Sequence, residues 1–256
     1  MKNIITKIKA VLRKNQTFVD AYYKGRFLAA AFVNNIFHLG RLMLFLRISP
    51  YTMVEYKRLA NACTVAEFLE RNRIPGAFVE CGVWKGGAIG LMAKVADKAK
   101  SGRKIWLFDS FEGLPEPTKK DGATASTYAA HRDSGALRSI EKCVGPLEDV
   151  KQLFFSVLKL NPENIIIKKG WFQDVLPKEK QSIGPIALLR LDADWYESTK
   201  CILDNLYDNV VSGGYVLIDD YGHWQGCKKA VDEFLATRKL QVQLIPVDYA
   251  GVYFKK

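Results

Sequence analysis

The sequence lacks the marks of an exported or membrane-spanning chain. Its five cysteines, Cys63, Cys81, Cys143, Cys201 and Cys227, are odd in number and show no C-x-x-C spacing. They fit neither a disulfide framework nor a structural zinc site, so a reducing, cytoplasmic setting is expected. No continuous apolar run opens the chain, because Lys2, Lys7, Lys9, Arg13 and Lys14 interleave with Ile4, Ile5, Ile8, Val11 and Leu12. That excludes the apolar core of a signal peptide and predicts a basic amphipathic helix instead. The most apolar stretch, Phe27 to Leu46, is broken by Asn34, Asn35, His38 and Arg41, whereas a spanning helix wants about 20 residues with few or no charges. Helices buried against the core or against another subunit account for this stretch, and a homo-oligomer is expected. The other use of so basic and apolar a head is peripheral contact at the inner face of the membrane. Repeats and low-complexity tracts are absent, as are the phosphate-binding patterns G-x-G-x-x-G and G-x-x-x-x-G-K-[ST], which disfavours a dinucleotide or a triphosphate ligand.

Acidic residues are scarce at one end. The 256 residues carry 38 Lys+Arg against 27 Asp+Glu, a net charge of +11. The first 60 residues hold 11 of those cations and only two acids, so the remaining 196 carry +2. A nucleic-acid-binding core is therefore excluded as an expectation. With 48% apolar residues the chain has ample material for one large domain and an appendage.

A break falls at Ile74-Pro75-Gly76, where Pro and Gly end a helical pattern over residues 53–73. Residues 1–75 are expected to form a helical region and residues 76–256 a second domain. In the latter, short β-rich runs (77–80, 104–108, 164–168, 186–191, 214–218, 241–247 and 252–254) alternate with helical segments near 87–99, 149–159, 197–209 and 227–238. Continuous apolar strands separated by helices predict an α/β fold, a mostly parallel sheet covered on both faces. Ligands of such sheets bind outside the carboxyl ends of the strands, where strand order reverses.

The unusual residues collect at those ends. The first strand runs into Glu80-Cys81-Gly82-Val83-Trp84-Lys85-Gly86-Gly87, a glycine turn that lets backbone approach a ligand closely. It opens with an acid, which repels pyrophosphate and suits a cationic ligand. The second strand ends in Asp109-Ser110-Phe111, with Asp109 27 residues past Gly82, a position that suits the two hydroxyls of a ribose. An adenosine that carries positive charge instead of phosphates is S-adenosylmethionine. After the third strand, Gly170-Trp171-Phe172-Gln173-Asp174 could stack on and hydrogen-bond an adenine. The fourth strand ends in Asp192-Ala193-Asp194 and the fifth in Asp219-Asp220. A right-handed crossover brings both tips to one edge of the sheet. Carboxylates gathered there repel one another unless a cation or protons neutralise them. Oxygen-only ligands point to a hard ion, Mg2+ before Ca2+ or Mn2+.

Several of these stretches are long enough to mark a family. Val79 to Gly87, Phe108 to Pro115, Lys169 to Asp174, Leu189 to Thr199 and Gly213 to Tyr221 resemble, in order and spacing, the motifs of the macrocin O-methyltransferase (TylF) family. The resemblance runs from about residue 53 to about residue 235. It implies a Rossmann-like class I methyltransferase fold with a seven-stranded sheet, using S-adenosylmethionine and Mg2+ to methylate a sugar hydroxyl. By position it places Glu80, Gly82, Trp84 and Gly86 in the donor-binding turn, with Asp109, followed by Ser110, at the ribose. It sets Phe172 and Gln173 beside adenine, and it gives the metal to Asp192, Asp219 and Asp220. Asp194 either replaces Asp192 as a ligand or serves the donor's amino group. The first 50 residues depart from the family in being more basic and apolar, which leaves the acceptor open among glycans, glycolipids, nucleotide sugars and glycosylated small molecules.

A sugar hydroxyl is a feeble acid, so a base should assist its attack. Asp192 is the first candidate, with His131 and His223 as alternatives. Residues 116–135, with Pro117, Gly122 and five Ser/Thr, are expected to form a lid over donor and acceptor. Two rival readings are a catechol or phenolic acceptor on the same fold and a non-catalytic, membrane-peripheral protein with a relic pocket.

Overall fold

The structure, a computed structural model, describes residues 16–256, so the basic helix expected over residues 2–14 lies outside the described residues. The chain divides after Pro50 into two compact units. In the first, α1 (Gln16–Asn35) turns into α2 (Leu39–Ile48). The Phe27 and Phe45 rings approach to 6.4 Å between centroids, and Leu42, Leu44, Phe45 and Ile48 are buried.

The second unit starts at Tyr51. Helix α3 (Tyr56–Arg71) therefore belongs with the sheet rather than with the helices before it; it is followed by β1 (Ala77–Cys81), α4 (Gly87–Ala99) and β2 (Ile105–Asp109). Next come α5 (Gly122–Tyr128), α6 (Leu147–Lys151), a π-helical turn over Gln152–Val157, and β3 (Ile165–Lys169). Helix α7 (Phe172–Ile183), β4 (Ile186–Leu191), α8 (Tyr196–Leu206) and β5 (Val210–Ile218) follow, and α9 (Gln225–Thr237), β6 (Ile245–Pro246) and β7 (Val252–Lys255) end the chain.

The strand order is β3-β2-β1-β4-β5-β7-β6. β1 to β5 pair in parallel, and β7 is antiparallel to β5 and β6. Every residue of β1 and β4 is buried, as central strands covered on both faces should be. Three elements depart from the periodicity. Helix α7 carries Pro177 in its interior and buries only Leu176 and Ile183, too thin an apolar stripe to announce a helix. Strand β6 holds two paired residues where seven were expected. Residues 116–135 contain α5 and are pinned by buried acids: Asp121 accepts from the backbone N–H of Tyr196 and from Thr118, and Glu116 pairs with Ser134 and Arg138.

Candidate functional site

Strand order reverses between β1, which leads to β2 and β3, and β4, which leads to β5. A cleft of about 320 Å³ opens at their carboxyl ends, where α/β sheets place ligands.

One wall is the glycine turn. Gly82 has φ +86°, and a Cβ there would run into the Asp192 carbonyl, so only glycine lets β1 and β4 end this close together. The carboxylate of Asp109 draws the turn onto the end of β2. Its Oδ2 accepts the N–H groups of Val83 and Trp84 at 2.8 and 3.0 Å, and its Oδ1 accepts that of Phe111 at 2.7 Å. Asp109, expected at a ribose, thus also holds the backbone that the donor would touch. Trp84, at φ +49°, lines the cleft. Gly86 instead starts α4 with φ +83° and lies against Val150 and Phe154, off the cleft. Ser110 lines the cleft while its hydroxyl donates to the Gly113 carbonyl at 2.9 Å. Trp171 and Phe172 line it as well, and Gln173 does not.

Past the tips of β4 and β5 the lining is acidic. Oxygens of Asp192, Asp194 and Asp220 lie within 4.8 Å of one another. Asp220 Oδ2 accepts the Asp194 N–H at 3.2 Å, and Asp194 Oδ1 accepts the Trp224 indole N–H at 2.6 Å. Asp219 also borders the cleft, but its carboxylate is engaged elsewhere: Oδ1 accepts from Arg190 and Oδ2 from Arg58. The structure therefore brings together Asp192, Asp194 and Asp220 and ties Asp219 to two arginines. Three convergent carboxylates with oxygen donors alone suit a hard divalent cation, which would relieve their repulsion.

Behind this wall sits a network the sequence reading missed. Arg190 lies inside β4 with 3% of its side chain exposed, and it pairs with Glu80, Asp192 and Asp219. The β1–β4 register places Glu80 directly opposite it. Glu80, expected in the donor turn, is buried outside the main cleft, and its Oε2 has no partner among the described residues. Arg58 of α3 bridges Asp219 and Asp248, the latter at 3.0 Å. The signal for Arg190 was present: one cation within six otherwise apolar strand residues must be paired. Arg58 carried no such signal.

The two candidate histidines part company. His223 borders the cleft, edge-on to Trp224 and Tyr249. Burial, then the nearby Arg58 charge, lower its pKa, so it is a neutral imidazole at neutral pH. His131, at φ +61°, is exposed beside Ser126 and lies off the cleft. Cys143 faces the cleft, but burial and then Asp194 push its thiol up to about 12, so it is no nucleophile.

Burial, reinforced by neighbouring carboxylates, also raises Asp220 well above the ordinary carboxylate range. Burial and then Asp192 raise Asp194 from 3.8 to about 7. A carboxyl whose pKa is higher folded than unfolded costs nothing at acid pH. Its destabilisation grows from about pH 4 and is complete above about pH 7. Asp194→Asn keeps an acceptor for Trp224 and suits the observed φ of +56°. Without divalent cations it is expected to stabilise the fold by about 2 kcal/mol near pH 8, allowing for solvent in the open cleft, and to do nothing near pH 4. Denaturant unfolding at the two pH values checks this; equal effects at both would contradict the crowding of charge.

A seven-stranded sheet in this order, a glycine turn after β1, an acid closing β2 and acids at the tips of β4 and β5 define a class I S-adenosylmethionine-dependent methyltransferase. The sequence matches the model of the macrocin-O-methyltransferase (TylF) family over residues 47–256, and the chain belongs to that family. It is an O-methyltransferase. It is 38% identical over 210 residues to the demethyldecarbamoylnovobiocin O-methyltransferase of Streptomyces niveus, covering 81% of this chain and 76% of that one. It is 34% identical over 206 residues to the 8-demethyl-8-(2,3-dimethoxy-alpha-L-rhamnosyl)-tetracenomycin-C 4'-O-methyltransferase of Streptomyces olivaceus, covering 80% and 75%. The solved O-methyltransferase NovP superposes with a TM-score of 0.70 at 38% identity over 80% of this chain and 82% of that one. The calicheamicin methyltransferase CalS11, at 20% identity, shares the fold with a TM-score of 0.65 over 92% and 91%.

Proposed function

We propose that the protein transfers the methyl group of S-adenosylmethionine to a hydroxyl of a sugar-containing acceptor, with Mg2+ held by Asp192, Asp194 and Asp220. The observation that carries this reading is the convergence of those three carboxylates on the cleft that the glycine turn also lines. The name of the Streptomyces olivaceus relative, a 4'-O-methyltransferase of a rhamnosyl compound, supports the sugar.

The division of labour follows from the walls of the cleft. Gly82 and Trp84 present backbone at the donor's side, held in place by Asp109. Trp171 and Phe172 offer flat apolar surface for the adenine. Elsewhere in the lining, the rings of Tyr128, Trp224 and Tyr249 give the C–H face of a sugar something to lie on, and His223 borders the same space. When bound, Mg2+ supplies Lewis-acid polarisation that lowers the pKa of a hydroxyl. Asp192 accepts the hydroxyl proton as the oxygen attacks the sulfonium methyl in line, and S-adenosylhomocysteine departs. Holding both reactants in one orientation supplies much of the rate.

The test is methyl transfer followed by mass spectrometry, with glycosides and catechols as acceptors, in Mg2+ and in chelator. Turnover of a glycoside that chelator abolishes is expected. Faster turnover of catechols would overturn the sugar, undiminished turnover in chelator would overturn the metal, and failure to bind S-adenosylmethionine in calorimetry would overturn the whole reading.

A further inference from the structure

The α1–α2 hairpin carries a surface that methyl transfer does not explain. Phe32, Val33, Ile36, Phe37 and Leu39 fall within eight residues at its turn, and Met43 follows one helical turn later. All six are exposed, Phe37 by 92%, Val33 by 71% and Leu39 by 68%. Scattered exposed apolar side chains are ordinary, but a run of large ones at a hairpin tip marks a contact surface. The family match begins at residue 47, after nearly all of this hairpin, so the surface lies outside the stretch that the match covers.

Charge selects the occupant. From residue 21 to residue 54 there is no Asp or Glu, while Lys24, Arg26, Arg41 and Arg47 lie in the same stretch. Lys24, Arg26 and Arg47 are exposed. A second copy meeting this face across a two-fold axis would set like charges against like with no acids to answer them. Among the described residues no helix is long and apolar enough to cross a membrane. Exposed aromatic and aliphatic side chains on a hairpin that also carries exposed cations and, from residue 21 to residue 54, no acid are the chemistry of a segment that binds the headgroup layer of an anionic bilayer.

We propose that the α1–α2 hairpin docks the enzyme on an anionic lipid surface, with Val33, Phe37 and Leu39 entering the headgroup layer. The proposal stands on the hairpin alone and does not depend on the acceptor or on the metal.

The experiment is co-sedimentation of the full chain with phosphatidylcholine vesicles, with and without phosphatidylglycerol. Binding at least about ten-fold stronger to the anionic vesicles, and weakened by salt, is expected. Val33→Asp combined with Phe37→Asp should abolish it while the thermal melt is unchanged, since both side chains are exposed. Lys24→Glu, which leaves the apolar face alone, should reduce the anionic preference. The proposal is overturned if the wild type stays in the supernatant with anionic vesicles, or if the double variant sediments like the wild type. It is equally overturned if light scattering finds a dimer that the double variant splits, because a second copy would then cover the face.

Discussion

Asp220→Asn is expected to lower methyl transfer by about 10³-fold or more at saturating donor, acceptor and Mg2+. The substitution keeps the size of the side chain and an oxygen that can accept the Asp194 N–H, so the loss would come from charge rather than from fold. One of three carboxylates that face one another goes, and with it the attraction for a divalent cation. Donor affinity should change little, since the glycine turn follows β1 and Asp109 ends β2, whereas Asp220 follows β5, two strands away from β1. Asp219→Asn provides the contrast. Its carboxylate is engaged by Arg58 and Arg190, so its neutralisation should lower stability first and turnover through that route. Measuring kcat, donor binding by calorimetry and Tm for both variants separates the roles. A loss of activity under about ten-fold for Asp220→Asn, or a larger loss of turnover without loss of Tm for Asp219→Asn, would transfer the cation to Asp219.

The contrast between these adjacent residues explains how far the sequence could be read. The sheet was legible because buried parallel strands are continuous apolar runs: the expected segments at 77–80, 104–108 and 186–191 each lie within a residue of β1, β2 and β4. Helix α7 was not, because Pro177 stands in its interior and only Leu176 and Ile183 of its residues are buried. At the site, the rule that function collects past strand ends found Asp192, Asp194, Asp219 and Asp220. Their division of labour was hidden because neighbours at a strand tip point to opposite sides. Asp219 turns toward Arg190 and Arg58, Asp220 toward Asp194, and the left-handed backbone at Asp194 swings its carboxylate into the trio. None of this has a one-dimensional signature, and Arg58 is brought to Asp219 from 161 residues away. The histidines teach the same lesson: His223 follows the β5 tip and borders the cleft, whereas His131 lies beyond α5 and faces solvent.

Arg190→Met should cost about 3–5 kcal/mol of stability, a fall in Tm on the order of 10 °C for a domain of this size. Burial works against the Arg190 charge, but Asp219, Glu80 and Asp192 outweigh it and raise its pKa further, so the guanidinium is the fixed cation of the interior. Glu80, itself pushed up by burial to about 8, already has one orphaned oxygen. With methionine in place of the arginine, Asp219 loses a counter-charge and Glu80 its hydrogen-bond donor in surroundings too dry to replace either, while the side-chain volume is nearly conserved. Arg190→Lys should recover only part of the loss, because one ammonium cannot reproduce a fork whose Nη1 serves Glu80 and Asp192 while Nη2 serves Asp219. Adding Glu80→Gln to Arg190→Met removes one stranded acid and should restore about 1 kcal/mol or more, a coupling that unfolding in urea measures through a double-mutant cycle. A wild-type Tm for Arg190→Met would mean that the acids do not depend on it. The distances behind the cleft would then be no guide to what keeps Asp192 pointed into it.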